Sequence, residues 1–230
     1  MRWLLPLLVL APKGAVVEPL PGRVQVDWTA GRIIAIGVMA PDLRAPGPTV
    51  ARVTAERVAR REAQKRLLEA AAKVPLAQGG TPPAARLEGA RALIHDVEVR
   101  YASDGAVEAT LTLPLEAVRT ALEAKPPEAP TGDDAAPTAV LVDLGKIHQA
   151  PVLGLTVAAG ATRFSGPTIW YRDPKAAHDD PRVGPRPLEA RAKSAKAGVV
   201  TLEVDEGKLA AAARAGALVV VVTRHWDGRR

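Results

Sequence analysis

The chain has 230 residues, with 31 Lys and Arg against 25 Asp and Glu for a formal charge of +6, and no cysteine. That length holds one large domain or two small ones, and the lack of cysteine excludes disulfides, thiolate zinc sites, a cysteine nucleophile and lipidation at a lipobox within these residues. The excess of base does not read as a nucleic-acid footprint. Basic residues are interleaved with acids, as in Glu56-Arg57 and Arg61-Glu62, and no basic stretch carries the aromatics that stack on bases.

Arg2 followed by the apolar run WLLPLLVLA over 3–11 matches the charged and apolar regions of an export signal. We expect residues 1–18 to be a signal peptide, with cleavage near Ala11 or Ala15, and a periplasmic mature protein. The run is shorter than the roughly 20 residues a membrane-spanning helix needs.

Residues 23–30 alternate, with Val24, Val26 and Trp28 on one side and Gln25, Asp27 and Thr29 on the other, which predicts a half-buried strand. Ala30-Gly31 turns the chain, and 33–39 predicts a second apolar strand in which Gly37 lets a neighbouring backbone come close. A Pro- and Gly-rich loop over 41–48 follows, with Thr49 as the expected N-cap of a helix over 50–74. Along that helix Ala55, Ala59, Ala63, Leu67, Ala70 and Val74 form one stripe, and Arg57, Arg61 and Lys65 lie opposite. Small residues on the buried side predict close packing on a sheet, and Pro75 is the expected stop.

After a joint at 79–83, strand character is densest over 93–101. Ser103-Asp104-Gly105 predicts a hairpin turn, its partner strand runs over 106–113, and a short helix covers 116–124. Residues 19–124 thus read as a complete α+β domain. The segment KPPEAPTGDDAAP over 125–137 reads as a solvated linker. A second unit over 138–226 is expected to contain strands over 139–144 and 168–171, and a helix over 187–197 ended by Gly198. A strand over 199–204, a helix over 208–215 and a central apolar strand over 218–224 complete it, and 227–230 is a tail. The expected class is α+β: a small antiparallel sheet with one long packed helix, then a second, smaller α/β-type domain.

Chemistry is sparsely marked. His95, His148, His178 and His225 are scattered, and no two sit at a helical metal-ligand spacing. His178 with Asp173, Asp179 and Asp180 could hold a divalent cation or serve a hydrolase, but a solvated loop between Pro174 and Pro181 explains them equally well. The three serines lie outside any nucleophile elbow, and no phosphate-binding glycine loop occurs. Trp170, Tyr171, Arg172 and Asp173 could form a ligand edge, against the alternative that the rings pack beneath a loop. No catalytic residue, metal or cofactor is expected.

Some of these residues carry a likeness. Asp27-Trp28-Thr29-Ala30-Gly31 with Ile33-Ile34-Ala35-Ile36-Gly37, and the helix ending Lys65-Arg66-Leu67-Leu68-Glu69-Ala70, resemble a bacterial envelope family. That family is typified by a twenty-kilodalton outer-membrane lipoprotein, and the N-terminal domain of flagellar assembly protein T is related to it. The shared pattern is a W-x-x-G-x-I-x-A-x-G strand followed by an alanine-striped helix, here Trp28, Gly31, Gly37, Ala59, Ala63 and Leu67. The second half, through Val140-Leu141-Val142-Asp143, Pro167-Thr168-Ile169-Trp170-Tyr171, the segment 180–188 and the closing strand, is similar to the C-terminal region of longer exported members. The chain departs from the pattern in having no lipobox cysteine and in a divergent 151–166 region.

The resemblance implies a non-enzymatic periplasmic protein, partnered by other envelope proteins or peripherally associated with the outer membrane, with a tie to flagellar or surface assembly. Its contact surfaces are expected in the loops around 41–48 and 173–187. The alternatives are a periplasmic small-ligand binder using Trp170, Tyr171 and Arg172, and an uncharacterised hydrolase using His178.

Overall fold

The computed structural model describes residues 14–123 and 135–226. Most of the span read as a signal peptide, most of the 125–137 linker and the 227–230 tail lie outside the described residues. The class is α+β, as expected.

The first sheet contains β1 (Val17–Leu20), β2 (Val24–Asp27), β3 (Arg32–Met39), β4 (His95–Tyr101) and β5 (Val107–Pro114), in the order β1-β2-β3-β5-β4 and antiparallel throughout. β1 begins inside the 1–18 span, so cleavage after Ala15 leaves it whole and cleavage after residue 18 does not. The long helix α1 (Pro48–Ala71) lies across β3 and β5.

Gly47 caps α1, with Pro48 at its first position, and the carbonyl of Gly47 accepts from the Ala51 N–H at 3.0 Å. Thr49, expected as the cap, is already helical: a proline one residue earlier has the φ a helix start needs and no N–H to satisfy. The helix also stops at Ala71, four residues before Pro75. Ala51, Ala55, Ala59, Ala63, Leu67, Ala70 and Ala71 form the buried stripe. The pairs Glu62–Arg66 at 3.1 Å and Lys65–Glu69 at 3.9 Å lie on its outer faces. Exposed pairs of this kind contribute ~0.2–0.5 kcal/mol each, whereas burying Leu67 alone contributes about 1.5–3 kcal/mol. Packing, not the pairs, holds α1 in place.

α2 (Glu88–Arg91) leads into β4, and the β4–β5 hairpin turns through Ser103-Asp104-Gly105 as expected, with Gly105 at φ +82°. α3 (Leu115–Leu122) closes the first unit.

The second sheet has seven strands. They are β6 (Ala139–Asp143), β7 (Thr156–Ala159), β8 (Thr162–Phe164), β9 (Thr168–Tyr171), β10 (Pro187–Lys196), β11 (Val199–Glu203) and β12 (Leu218–Val222), in the order β8-β7-β11-β10-β6-β12-β9. β9, β12, β6 and β10 run parallel. β12 is buried as expected but is not central: it lies between β6 and the edge strand β9, and β10 holds the middle of the sheet.

The helix expected over 187–197 is instead β10. Its alanines favour helix in isolation, but Leu188, Ala190 and Ala192 alternate with Glu189, Arg191 and Lys193, and the strand pairs on both edges with β6 and β11. Gly198, read as a helix stop, is the second residue of a tight hairpin turn with Ala197, at φ +73° and +50°. Neither β7 nor β8 is marked in the sequence. Their hairpin is tied to α5 (Glu206–Arg214) by the Glu206 carboxylate, which accepts from the N–H groups of Ala161 and Thr162, both at 2.9 Å. α4 (Pro174–His178) covers the other face of the sheet, over a small cluster that includes Leu141, Ile169 and Val220.

One contiguous buried cluster runs through both sheets, from Trp28 and Leu67 to Trp170 and Val219. Two straps join the units. In the first, residues 14–15 pair with the end of β9: Ala15 bridges to Tyr171, and the Arg172 N–H donates to the Gly14 carbonyl at 2.8 Å. In the second, the chain after α1 binds Leu153 through reciprocal backbone bonds with Pro75 and Ala77, both at 2.9 Å.

Candidate functional site

The family-like residues are structural. Trp28, Ala59, Ala63 and Leu67 are all buried, Gly31 turns the chain at φ +68°, and Gly37 lies beneath α1.

Trp170 and Tyr171 belong to the core, at 0% and 4% exposure, so their rings present no ligand edge. The Tyr171 hydroxyl donates to the Asp180 carboxylate, which also accepts from Arg182 Nε at 3.0 Å and Nη2 at 2.6 Å. The same Nη2 donates to the Thr29 carbonyl at 2.8 Å. Burial alone would raise the Asp180 pKa, but hydrogen bonds from Arg182 and Tyr171 outweigh it and hold the carboxyl at about 2. Burial, with the bond to Asp180, pushes the Tyr171 phenol up to about 12. Asp173 spends its carboxylate capping α4 by accepting from the Lys175 N–H, and His178 faces Glu189 at 3.5 Å. Asp173, His178 and Asp180 thus have separate tasks, and among the described residues no group of three or more His, Asp or Glu is placed to hold a metal ion. Within the 173–187 segment Arg182 bonds to the first unit through the Thr29 carbonyl, and residues 175, 178, 179, 181, 182 and 184–186 are exposed.

Arg172 is the one member of that set left near a rim. It lies at the carboxyl end of β9, with its guanidinium 5.3 Å from the Trp226 ring centroid and its Nε buried without a hydrogen bond. Nearby, Arg224 pairs with Asp143 at 2.7 Å, and the rings of His148 and His225 lie 5.3 Å apart.

The other candidate surface lies at the opposite edge of the molecule's first sheet. β4 is an edge strand paired only with β5, with no strand beside its other edge among the described residues. Six of its seven residues are exposed. Among the described residues the exposed large apolar side chains are Met39, Leu43, Val50, Val53, Leu93, Val97 and Tyr101. All belong to β4, the turn before it, the end of β3, the 41–48 loop or the first turns of α1. Leu43 is 93% exposed and Val97 56%. Single exposed apolar residues are ordinary on any surface, but their confinement to one region is not.

Pairing fixes which β4 residues face α1. Val107, Ala109 and Leu111 of β5 are buried beneath the helix, and their partners across the ladder are Tyr101, Val99 and Asp96. α1 meets these with residues four apart. The Arg52 guanidinium lies 3.8 Å above the Tyr101 ring, the Tyr101 hydroxyl donates to Glu56 at 2.6 Å, and Arg60 bonds Glu56 and lies 2.9 Å from the Asp96 carboxylate. The hydrogen bond from Tyr101 is the main cause that lowers the Glu56 pKa, and the same bond raises that of Tyr101.

Outside this ladder lies an open groove of about 570 Å³, with Val53, Ile94 and Leu111 in its walls and Arg57, Arg61 and Arg91 among its polar lining. A second hollow, also about 570 Å³, lies between the 41–48 loop, the start of α1 and Tyr101. This second hollow adjoins the 41–48 loop, one of the segments expected to form a contact surface; β4 is outside that expectation. The available signal was the strand itself. From Asp96 to Tyr101 the strand alternates charged and apolar residues, yet carries no large apolar set fit for a core.

No protein-family model matches the chain, and a comparison with curated proteins gives no match.

Proposed function

We propose that this chain is an exported, non-enzymatic interaction module of the bacterial envelope, acting in the periplasm by offering β4 and the apolar residues around it to another envelope protein. The observation that carries the reading is the open edge of β4 with Val97, Tyr101, Val53 and Leu43 exposed beside it. An unpaired strand edge is a template for another chain, and monomeric proteins usually cover or blunt it. The apolar run over 3–11 and the likeness to envelope lipoproteins support the compartment. A tie to flagellar or surface assembly rests on that likeness alone.

Two experiments test it. Fractionation with N-terminal sequencing should recover a processed chain beginning before Val17 in the periplasm or at the outer membrane; an unprocessed chain confined to the cytosol overturns the export. The double variant Val53→Glu, Val97→Glu should keep the wild-type melting temperature and lose the native-gel complex formed in envelope extracts. A complex indifferent to both substitutions overturns the surface.

A second reading, a small-ligand binder, is favoured by one observation. Open sheets with parallel strands hold ligands outside the carboxyl ends of those strands, and there Arg172 stands over Trp226 with a buried Nε that lacks a hydrogen bond. A rise in melting temperature with small anionic ligands, lost in Arg172→Ala, supports this reading; a flat response removes it.

A further inference from the structure

The chemistry around β4 specifies its partner. We infer that β4 takes up an extended, acidic protein segment as a sixth strand of the first sheet, with Arg57 and Arg61 of α1 reading its carboxylates. This rests on the proposed role of the β4 edge and names the occupant of that surface.

The charges beside β4 are unequally engaged. Each acid there already has a partner: Glu56 is held by Tyr101 and Arg60, Asp96 by Arg60, Glu98 by Arg100 at 2.7 Å, and Glu62 by Arg66 at 3.1 Å. The bases are in surplus. Arg57 and Arg61 are exposed, line the groove, and make no hydrogen bond or ion pair among the described residues. Arg91 has only a distant partner, Glu88 at 3.7 Å. Four guanidiniums line the groove against two carboxylates, and both carboxylates are among the paired ones. A guanidinium without a carboxylate partner offers a bidentate site to an incoming one.

The geometry calls for an extended segment rather than a helix or a diffuse anionic surface. A strand added beside β4 lies about 4.8 Å beyond it, and every second side chain points to the α1 side. Those side chains enter the mouth of the groove, which Arg57 and Arg61, one helical turn apart, line together with Val53 and Ile94. Carboxylates at alternate positions meet the arginines, and short apolar groups meet the floor. The ladder provides affinity without regard to sequence, and the arginines provide selection. β4 is also guarded against indiscriminate pairing. A bulge between Asp96 and Glu98 interrupts the register, and charged side chains alternate along the strand. The uninterrupted stretch, Glu98 to Tyr101, adjoins the hollow beside the 41–48 loop.

The test is fluorescence anisotropy with the full chain and labelled peptides of alternating Glu and Val. Three controls accompany it: the Lys-for-Glu peptide, the Glu peptide N-methylated at alternate backbone nitrogens, and anionic phospholipid vesicles. The Glu peptide should bind with an affinity that falls with salt. Affinity should drop at least tenfold with N-methylation and at least tenfold in the double variant Arg57→Glu, Arg61→Glu, which circular dichroism should find folded because neither arginine has a partner to lose among the described residues. Equal binding of the Lys peptide, indifference to N-methylation, or no binding overturns the inference. Vesicle binding that the same double variant abolishes, without peptide binding, assigns the arginines to a membrane and overturns it too. A failure here, alongside intact crosslinking at Val97 in cells, removes the acidic strand and leaves the interaction module standing; loss of both removes the module.

Discussion

A β-carbon placed on Gly37 would lie 1.9 Å from the carbonyl oxygen of Ala59 and 2.7 Å from the amide nitrogen of Ala63. β3 and α1 touch there backbone to backbone, which only glycine on the strand and alanine on the helix allow. Gly37→Ala should therefore destabilise the chain by about 3 kcal/mol or more, since neither obstructing atom belongs to a movable side chain. Urea denaturation measures it; a loss below about 1 kcal/mol would mean that α1 is less tightly seated.

Thr29 holds the first strap. Its hydroxyl accepts from the Val16 N–H at 2.8 Å and donates to the Trp170 carbonyl, all in buried surroundings. Thr29→Val keeps the shape and strands both backbone groups, at an expected cost of about 2–4 kcal/mol. Thr29→Ser, which keeps the hydroxyl, should recover most of that loss in the same denaturation series.

The Asp180 carboxyl predicts a pH dependence. Its pKa in the fold is about 2, below the ordinary 3.8, so the folded state prefers the ion. Its contribution is complete above about pH 4 and is lost as pH falls through about 2. A shift of this size corresponds to at most ~2 kcal/mol, because the partner Arg182 is 42% exposed and solvent screens part of the interaction. Asp180→Asn should be less stable than wild type by up to that amount at pH 7, and the gap should close toward pH 2. A gap independent of pH would show that the ion does not carry it.

Much of the first unit was legible because its signals are local. The alternation before Trp28, the four-residue alanine spacing of α1 and the Ser-Asp-Gly turn each belong to one short segment and mark an element that forms. The strand expected over 23–30 nevertheless ends at Asp27, before the turn that holds Trp28, and the helix expected over 50–74 spans Pro48–Ala71. β10 was not legible, because its alanine content favours helix and only its neighbours β6 and β11 make it a strand. Trp170 and Tyr171 illustrate the same limit at the level of a site. A Trp-Tyr-Arg run at a strand end suits a ligand edge equally well until α4, the first strap and Asp180 are seen to cover it. The β4 surface escaped for the opposite reason. An edge strand differs from an inner one by the absence of a neighbour, and the segment records that only indirectly, in charged residues and the lack of a large apolar set.

The Tyr101 hydroxyl bond to Glu56 gives a local check on the β4 surface. Tyr101→Phe removes the main cause of the lowered Glu56 pKa, so the Glu56 titration followed by NMR should move up toward its ordinary value. Both groups are at the surface, so the melting temperature should change little. An unmoved titration would mean that the α1–β4 ladder is not formed in solution.

The most direct test of the account is photo-crosslinking in living cells with a benzophenone side chain at Val97, and with the same group at Lys193 on the exposed side of β10 as control. A discrete adduct with an envelope protein is expected at Val97, none at Lys193, and loss of the adduct when Val53→Glu is added. No adduct at Val97, or the same products at both positions, would contradict it.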